Sequence, residues 1–304
     1  MNSVDNGLTV AGKQASGARA DLSSDEMGPP MGSGDAVLAN QQFAIGTLDA
    51  NASTSLSNAG TVDRLASSTM TIAGNATLAD ASANRAQNSV SLDDGVGGGV
   101  VSTQVSIAPV HAIAASDLRF TASGAQPSLS TSNLVFEGNV TSSTARANLA
   151  DNALNYDGTT AITGGTANGQ ISAFDTSASA PLTMLNQQAN LAAVAADTGT
   201  SGVLVPLNGA VTGAQLTITG NTMSATAYGN SANDVMIASA PRAAPAASLV
   251  NMQTNSGAVS AVVNGATYRS LTGPVTGSSV ALTGNQISAA ATGNLASSAI
   301  TTGR

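Results

Sequence analysis

Residues 216–232 read LTITGNTMSATAYGNSA, and three other segments of the chain repeat this pattern. They are residues 70–86 (MTIAGNATLADASANRA), 134–150 (LVFEGNVTSSTARANLA) and 280–296 (VALTGNQISAAATGNLA). In each segment alternating apolar residues lead into Gly-Asn, and a second asparagine follows nine positions after the first. Self-similarity of this kind indicates stacked repeat units rather than one globular core.

Eight asparagines mark the repeat and are its candidate structural positions: Asn75, Asn84, Asn139, Asn148, Asn221, Asn230, Asn285 and Asn294. A Gly-Asn pair can turn a strand tightly, because glycine adopts positive φ without steric cost and asparagine tolerates it. Equivalent asparagines of stacked units can also hydrogen-bond to one another as a ladder. The sequence leaves open whether these residues form turns alone or turns together with ladders.

A second landmark shows that the whole unit repeats. Asn40, Asn186 and Asn251 lie 34 or 35 residues before the next Gly-Asn turn, and in the second unit this place falls on Gln104. The first asparagines of the four turns are 64, 82 and 64 residues apart. The sequence therefore predicts repeats at 36–99, 100–160, 181–245 and 246–304. An insertion at 161–180 would be either a surface loop or an extra rung.

Residues 1–35 are predicted to form an irregular N-terminal segment that contains a partial repeat or a donor strand. Residues 8–12 (LTVAG) are similar to residues 70–74 (MTIAG) at a step of 62, as the remnant of a further copy would be. A chance match in a biased composition is the alternative. Pro29-Pro30 between glycines is typical of a loop.

The local period of two predicts β-strands. Leu216 and Ile218 alternate with Thr217 and Thr219, and Gly-Asn ends the alternation. Helix is disfavoured, because the alanines alternate with Ser, Thr and Asn and 32 glycines interrupt the chain. The predicted fold class is all-β: a repetitive, elongated β-solenoid or stacked β-sheet array.

Composition argues against several classes of function. Only 9% of the residues are charged and the net charge is −8, so no basic patch for nucleic acid is expected. The chain has no cysteine and one histidine, His111, so we expect no metal site, no cofactor and no catalytic site. Glu137 and Asp151 are not expected to form a catalytic pair. Glu137 aligns with Ala73, Thr219 and Thr283 of the other copies, which indicates a variable position on the solvent side. No 18-residue apolar run is present, which predicts no membrane span.

The motif A-x-A-x-G-N-x-A, at residues 225–232 and 289–296, resembles curlin-type repeats and the curli-like proteins of holdfast-anchoring systems. The resemblance implies an extracellular protein that forms fibres or anchors through β-structure. The unit of this chain is longer than that of curlin, and we expect it to lack regularly spaced glutamine and aromatic ladders. A non-amyloid β-solenoid is therefore the fold that the resemblance implies.

The expected function is that of a secreted structural subunit, not an enzyme, in an extracellular bacterial filament, anchor or surface layer. Its expected partner is itself, as a head-to-tail homopolymer, with cell-surface polysaccharide as a second candidate. The fourth copy is followed by ASSAITTGR, which has no cap-like sequence, so its edge is expected to pair with the next subunit's N-terminal region. MNSVDNGLTV lacks the features of a secretory signal, so export by another route or processing is expected. The alternatives are an adhesin or phage fibre whose residues 149–185 bind a glycan or receptor, and a β-helix polysaccharide lyase.

Overall fold

The computed structural model describes residues 1–10, 18–21, 31–58, 63–122, 127–159, 162, 167–171, 176–240, 245–271 and 273–303. All regular elements in these ranges are β-strands, which confirms the predicted all-β class. None of these residues forms a helix that could cross a membrane. Pro29-Pro30, predicted to lie in a loop, is outside the described residues.

The strands follow the sequence repeat. The N-terminal segment contains β1 (Asn2–Val10), β2 (Ala18–Asp21) and β3 (Met31–Gly34). Repeat 1 comprises β4 (Ala36–Ala44), β5 (Leu48–Ser57), β6 (Leu65–Ala66), β7 (Thr69–Ala73) and β8 (Ala76–Leu92). Repeat 2 comprises β9 (Gly98–Ser106), β10 (Val110–Arg119), β11 (Leu129–Ser130), β12 (Asn133–Glu137) and β13 (Val140–Asp157).

Two further strands, β14 (Ala167–Ile171) and β15 (Thr176–Ala180), precede repeat 3. Repeat 3 comprises β16 (Leu182–Asn190), β17 (Val194–Asp197), β18 (Gly202–Pro206), β19 (Val211–Thr212), β20 (Gln215–Thr219) and β21 (Thr222–Ser239). Repeat 4 comprises β22 (Ala247–Asn255), β23 (Val259–Val262), β24 (Thr267–Leu271), β25 (Val275–Thr276), β26 (Ser279–Thr283) and β27 (Gln286–Gly303).

Equivalent strands of neighbouring repeats pair in parallel and in register. The longest sheet has the order β1-β8-β13-β21-β27, and four other parallel sheets pass through all four repeats in the same way. In the long sheet Asn84 pairs with Asn148, Asn148 with Asn230 and Asn230 with Asn294. The sequence steps of 64 and 82 residues are therefore the steps of the backbone pairing.

The insertion does not form a strand parallel to the repeats. β14 and β15 form an antiparallel hairpin, and β14 also pairs antiparallel with β3, so the sheet order is β15-β14-β3-β2. Residues 161, 163–166 and 172–175 of the insertion lie outside the described residues. The extra residues thus join the N-terminal segment in a separate sheet.

The predicted alignment of residues 8–12 with residues 70–74 is wrong. β1 pairs with β8 from Asn2↔Asn84 to Val10↔Leu92, so Leu8 is the partner of Val90 rather than the equivalent of Met70. β1 therefore begins beside Asn84, the second asparagine of repeat 1, and pairs only with the second half of β8. A composition rich in Thr, Val, Ala and Gly made the false match.

The predicted position of Gln104 is also wrong, by two residues. Gln104 pairs with Gln42 and Gln188, whereas the partner of Asn40 and Asn186 is Ser102. Repeat 2 has nine residues between β10 and β11, where repeat 1 has seven between β5 and β6. Counting residues back from the turn crosses this longer connection, which moves the alignment by two.

The alanine content has a structural reason. One core cluster consists mainly of alanines. It contains Ala81, Ala145 and Ala227 from the long strands, and Ala112 and Val194 from the strands that face them. Because these side chains are small, the long strands and the facing strands can approach each other closely. Bulkier residues such as Phe120, Phe136 and Leu134 fill a second cluster, near the Gly-Asn turns.

A bend divides each long strand into two halves. In β13 both Ala147 and Asn148 are buried, although burial alternates on either side of them. Ala147 is also the residue that the pairing register skips. The register is the same on both sides of Ala147, so neighbouring long strands bend at the same position and neither has an extra residue. The bend directs the second asparagine of the repeat into the interior.

The first asparagine follows a glycine in the left-handed region. Gly74, Gly138, Gly220 and Gly284 have φ values of 67, 62, 64 and 65°. Gly220→Ala is expected to destabilise the protein by about 1 kcal/mol, because an L-residue is strained at positive φ. Urea unfolding would measure this. Gly7→Ala is the control: Gly7 lies in β1 with open space around its Cα, so no loss is expected, and an equal loss would contradict the argument.

Candidate functional site

The first asparagines form a ladder through the turns. Asn75 Nδ2 donates to Asn139 Oδ1, Asn139 Nδ2 to Asn221 Oδ1 and Asn221 Nδ2 to Asn285 Oδ1, each at 2.8 Å. The same Oδ1 atoms accept the backbone N–H of the preceding asparagine at 3.1 Å. These side chains therefore link the turn of each repeat to the turn of the next.

The second asparagines form another ladder, inside the bend of the long strand. Asn84 Nδ2 donates to Asn148 Oδ1, and Asn148 Nδ2 to Asn230 Oδ1, both at 2.8 Å. Asn230 Nδ2 donates to Asn294 Oδ1 at 2.7 Å, and Asn2 joins the other end at 3.0 Å. Each Nδ2 also donates to a facing carbonyl, as Asn148 does to Ala189 O at 2.9 Å, which fixes the amide orientation.

A third ladder was missed by the sequence analysis. It runs from Asn6 to Asn88, Asn152 and Asp234, with Nδ2–Oδ1 distances of 3.0, 2.7 and 2.6 Å. Its signal in the sequence is a second asparagine or aspartate four residues after Asn2, Asn84, Asn148 and Asn230. That spacing places both side chains on the same face of a strand.

A glutamine ladder corrects the expectation that this chain lacks regularly spaced glutamines. Gln104 Nε2 donates to Gln42 Oε1 at 2.6 Å, Gln188 Nε2 to Gln104 Oε1 at 2.8 Å and Gln253 Nε2 to Gln188 Oε1 at 2.8 Å. Each Nε2 also donates to a carbonyl of the facing long strand, as Gln104 does to Leu149 O. The misalignment at Gln104 hid this ladder.

The ladders have opposite polarities. Asparagine amides donate from repeat 1 towards repeat 4, whereas glutamine amides donate from repeat 4 towards repeat 1. In repeat 4 the ladders therefore end in asparagine donors and a glutamine acceptor, and in repeat 1 they end in asparagine acceptors and a glutamine donor. Of the repeat 1 acceptors, Asn84 Oδ1 and Asn88 Oδ1 already accept from Asn2 and Asn6. The two ends of the described repeats are complementary to each other rather than to themselves.

Asp234 interrupts the third ladder with a carboxyl group that is fully buried. Asn152, Asn186 and Asn251 donate amide hydrogens to it. Burial raises the pKa of Asp234 to about 6, against the effect of these three hydrogen bonds, and the charge of Asp151 adds to the rise. Within the described residues, Asn186 Oδ1 and Asn251 Oδ1 are buried without a hydrogen-bond partner.

The outer edge of repeat 4, formed by β22–β27 and called here the repeat 4 edge, exposes residues that belong to the core elsewhere. Ile218 and Met223 are 0 and 3% exposed, whereas their partners Leu282 and Ile287 are 43 and 51% exposed. Val275, Val280 and Ile300 also have buried partners in repeat 3 and are exposed themselves. No described residue pairs with this edge.

The titratable residues that the sequence analysis considered, His111, Glu137 and Asp151, lie on three different strands. His111 lies on β10 with its Nδ1 3.5 Å from Asp49 Oδ1, and both side chains are about half exposed. Glu137 is exposed at the end of β12, while Asp151 lies in β13 beside Gln87 and Asn233. The described residues contain no cluster of His, Cys, Asp and Glu that could hold a metal ion.

A depression of about 350 Å³ lies on the sheet that contains β10, β18 and β24. Asp117, Arg119 and Arg269 line it together with Thr200 and Thr267. Arg119 and Arg269 both pair with Leu204, on either side of it. Both arginines are exposed, and Arg119 Nη2 lies 3.8 Å from Asp117 Oδ2.

Comparisons with known protein families, with curated proteins and with solved structures found no match for this chain.

Proposed function

We propose that the protein is an elongated, parallel β-solenoid that serves as the structural subunit of an extracellular bacterial filament, anchor or surface layer. Copies join head to tail, the repeat 4 edge of one copy against the outer edge of repeat 1 (β4–β8, the repeat 1 edge) of the next. The Thr-, Ser-, Asn- and Gly-rich composition without cysteine supports a location outside the cell.

The exposed apolar side chains of the repeat 4 edge carry this proposal. Leu282 and Ile287 are 43 and 51% exposed at positions that are buried in the preceding repeat. An unpaired strand edge also presents a row of backbone donors and acceptors that templates pairing with another chain. Burial of an apolar side chain contributes about 1.5–3 kcal/mol, so covering this edge is favourable.

The repeat 1 edge has apolar residues in register with those of repeat 4. Pairing through the intervening repeats places Leu65 at the position of Val275. In the same way Met70 is equivalent to Val280. Leu65 and Met70 are partly buried and pack on the core cluster near the turns. A second copy would thus continue the columns of apolar side chains that already run through the protein.

The polarity of the ladders selects the head-to-tail arrangement. Asn294 Nδ2 reaches only Gln253 O, at 3.5 Å, whereas Asn230 Nδ2 makes bonds of 2.7 Å to Thr254 O and to Asn294 Oδ1. An asparagine acceptor of another copy would complete the bonding of Asn294. Two repeat 4 edges facing each other would oppose donor to donor. A head-to-tail contact that does not close on itself produces an open filament.

Leu282→Asp is expected to abolish head-to-tail assembly, because it would bury an unpaired carboxylate in the contact. The matched control is Ala281→Asp, whose partner Thr217 lies on the opposite face of the strand from Ile218. Light scattering against protein concentration, with negative-stain images, would measure assembly. Equal assembly of Leu282→Asp and the unmodified protein would refute the proposal.

A second candidate function is supported by the depression at Arg119 and Arg269. The exposed Arg269, together with Arg119 beside Asp117, suits a glycan that carries an acidic group, which would make the protein an adhesin or a phage fibre. Glycan binding that persists in Leu282→Asp, in a protein that does not assemble, would favour this function.

A further inference from the structure

We propose that β1 occupies the position that β27 of a neighbouring copy takes on assembly, so that copies join by displacing β1. This inference rests on the proposed head-to-tail function and specifies how the contact forms. The partner is a second copy of this chain.

The pairing of β8 shows where the competition lies. One edge of β8 pairs with β13 from Ala76 to Leu92. The other edge pairs with β1, but only from Asn84 to Leu92. The first half of that edge, residues 76–83, has no partner among the described strands. The edge is therefore half occupied and half open.

β27 has the length and register to cover the whole of that edge. It pairs with β21 along 18 residues, from Thr222↔Gln286 to Ser239↔Gly303. A neighbouring copy that continued this register would place its residues 286–292 on the open half of β8. Its residues 294–302 would then fall on the half that β1 already occupies.

The two competing segments have similar residues at three inward-facing positions, although Ser298 aligns with Asn6 and lacks the amide that donates to Asn88. The register aligns Asn2 with Asn294, Val4 with Ala296 and Leu8 with Ile300. Asn2 Nδ2 donates to Asn84 Oδ1 at 3.0 Å and to Phe43 O at 2.9 Å, as Asn230 Nδ2 donates to Asn294 Oδ1 and Thr254 O. β1 is thus bonded as the second half of a preceding long strand would be.

Both segments cannot be accommodated in a complete contact. If β1 stayed, β27 of the neighbour could pair only with β1, one strand spacing of about 4.8 Å further out. The other strands of its repeat 4 would then be held one spacing away from β4–β7. That arrangement would leave Val280 and Leu282 uncovered.

The exchange is favourable because the neighbouring copy forms more strand pairing than β1 gives up. Releasing β1 gives up nine residues of pairing, and β27 replaces them with an equivalent set. The neighbour adds the first half of β27 and the strands β22–β26, which gain pairing and apolar burial that β1 does not supply. β1 therefore acts as a tethered competitor that opposes assembly without preventing it.

A disulfide between β1 and β8 tests the displacement. Ser3 pairs with Arg85, both are exposed, and the chain has no cysteine. Neighbouring strands lie about 4.8 Å apart, within the Cα separation that a disulfide spans. Ser3→Cys/Arg85→Cys is expected to lose assembly when oxidised and to regain it on reduction, measured by light scattering.

Two further variants complete the test. Ser142→Cys/Ser224→Cys joins β13 to β21, where the two Oγ atoms are 3.0 Å apart, and should assemble equally in both redox states. Deleting residues 2–10 should lower the concentration needed for assembly. Full assembly of the oxidised Ser3→Cys/Arg85→Cys protein would overturn the displacement but leave the proposed function standing. If the unmodified protein and the reduced variants fail to assemble at any concentration, the proposed function itself fails.

Discussion

Asn148→Ala is expected to destabilise the protein by about 3–5 kcal/mol, the largest loss predicted for a single polar side chain here. Asn148 is fully buried, accepts from Asn84 Nδ2 and donates to Asn230 Oδ1 and Ala189 O. Alanine would remove all three hydrogen bonds and leave one N–H of Asn84, Asn230 Oδ1 and Ala189 O buried without these partners. Urea unfolding followed by circular dichroism would measure the change.

Asn294→Ala is the matched control for that prediction. Asn294 belongs to the same ladder and accepts from Asn230 Nδ2, but it is exposed at the repeat 4 edge. Water can replace its hydrogen bonds, so the expected loss is below about 1 kcal/mol. The measurement must be made below the concentration at which copies assemble. Equal losses for Asn148→Ala and Asn294→Ala would show that burial of the ladder is not what stabilises it.

Asp234→Asn is expected to stabilise the protein at pH 8 by about 2–3 kcal/mol, since about two units of pKa difference are involved. The pKa of Asp234 is about 6 in the folded protein and 3.8 for the ordinary side chain, so the folded state binds the proton more tightly. This contribution is fully present below pH 3.8 and is lost as the pH rises to about 6. Asparagine carries no charge to bury. Rotation of the amides of Asn186 and Asn251 would turn their unpartnered Oδ1 atoms towards its Nδ2.

Thermal unfolding between pH 4 and pH 8 would check this prediction. The unmodified protein should lose stability relative to Asp234→Asn across the interval from pH 4 to 6, and the difference should then stay constant. Asn152→Asp is the opposite control, because its carboxylate would lie beside Asp234 Oδ1, to which Asn152 Nδ2 donates at 2.6 Å. It is expected to destabilise the protein at pH 8. A pH-independent difference between Asp234→Asn and the unmodified protein would argue that Asp234 ionises normally.

The local sequence determined the type of structure. Alternation at Leu216 and Ile218 specifies a strand with one face inward, and glycine at 220 supplies the positive φ of the turn. The steps of 64 and 82 residues predicted which asparagines pair, because the turn at one landmark fixes the register of the strands beside it. These signals lie within a few residues of one another and do not depend on loop lengths.

Only the tertiary structure shows how strands align when the connections between them differ in length. Two extra residues between β10 and β11 moved the predicted alignment at Gln104 and concealed the glutamine ladder. The bend at Ala147 changes which face of the strand points inward, so the alternation before the bend does not predict that Asn148 and Asn152 are buried.

The pKa of Asp234 and the position of β1 likewise could not be predicted from the sequence. Asp234 differs from Asn152 by one functional group, and its pKa rises mainly because neighbouring strands exclude water from it. β1 shares an N-x3-N spacing with β8 and β13, but only their pairing shows which edge it occupies. Local geometry is encoded by adjacent residues, whereas burial and edge occupancy depend on strands that are tens of residues apart in the chain.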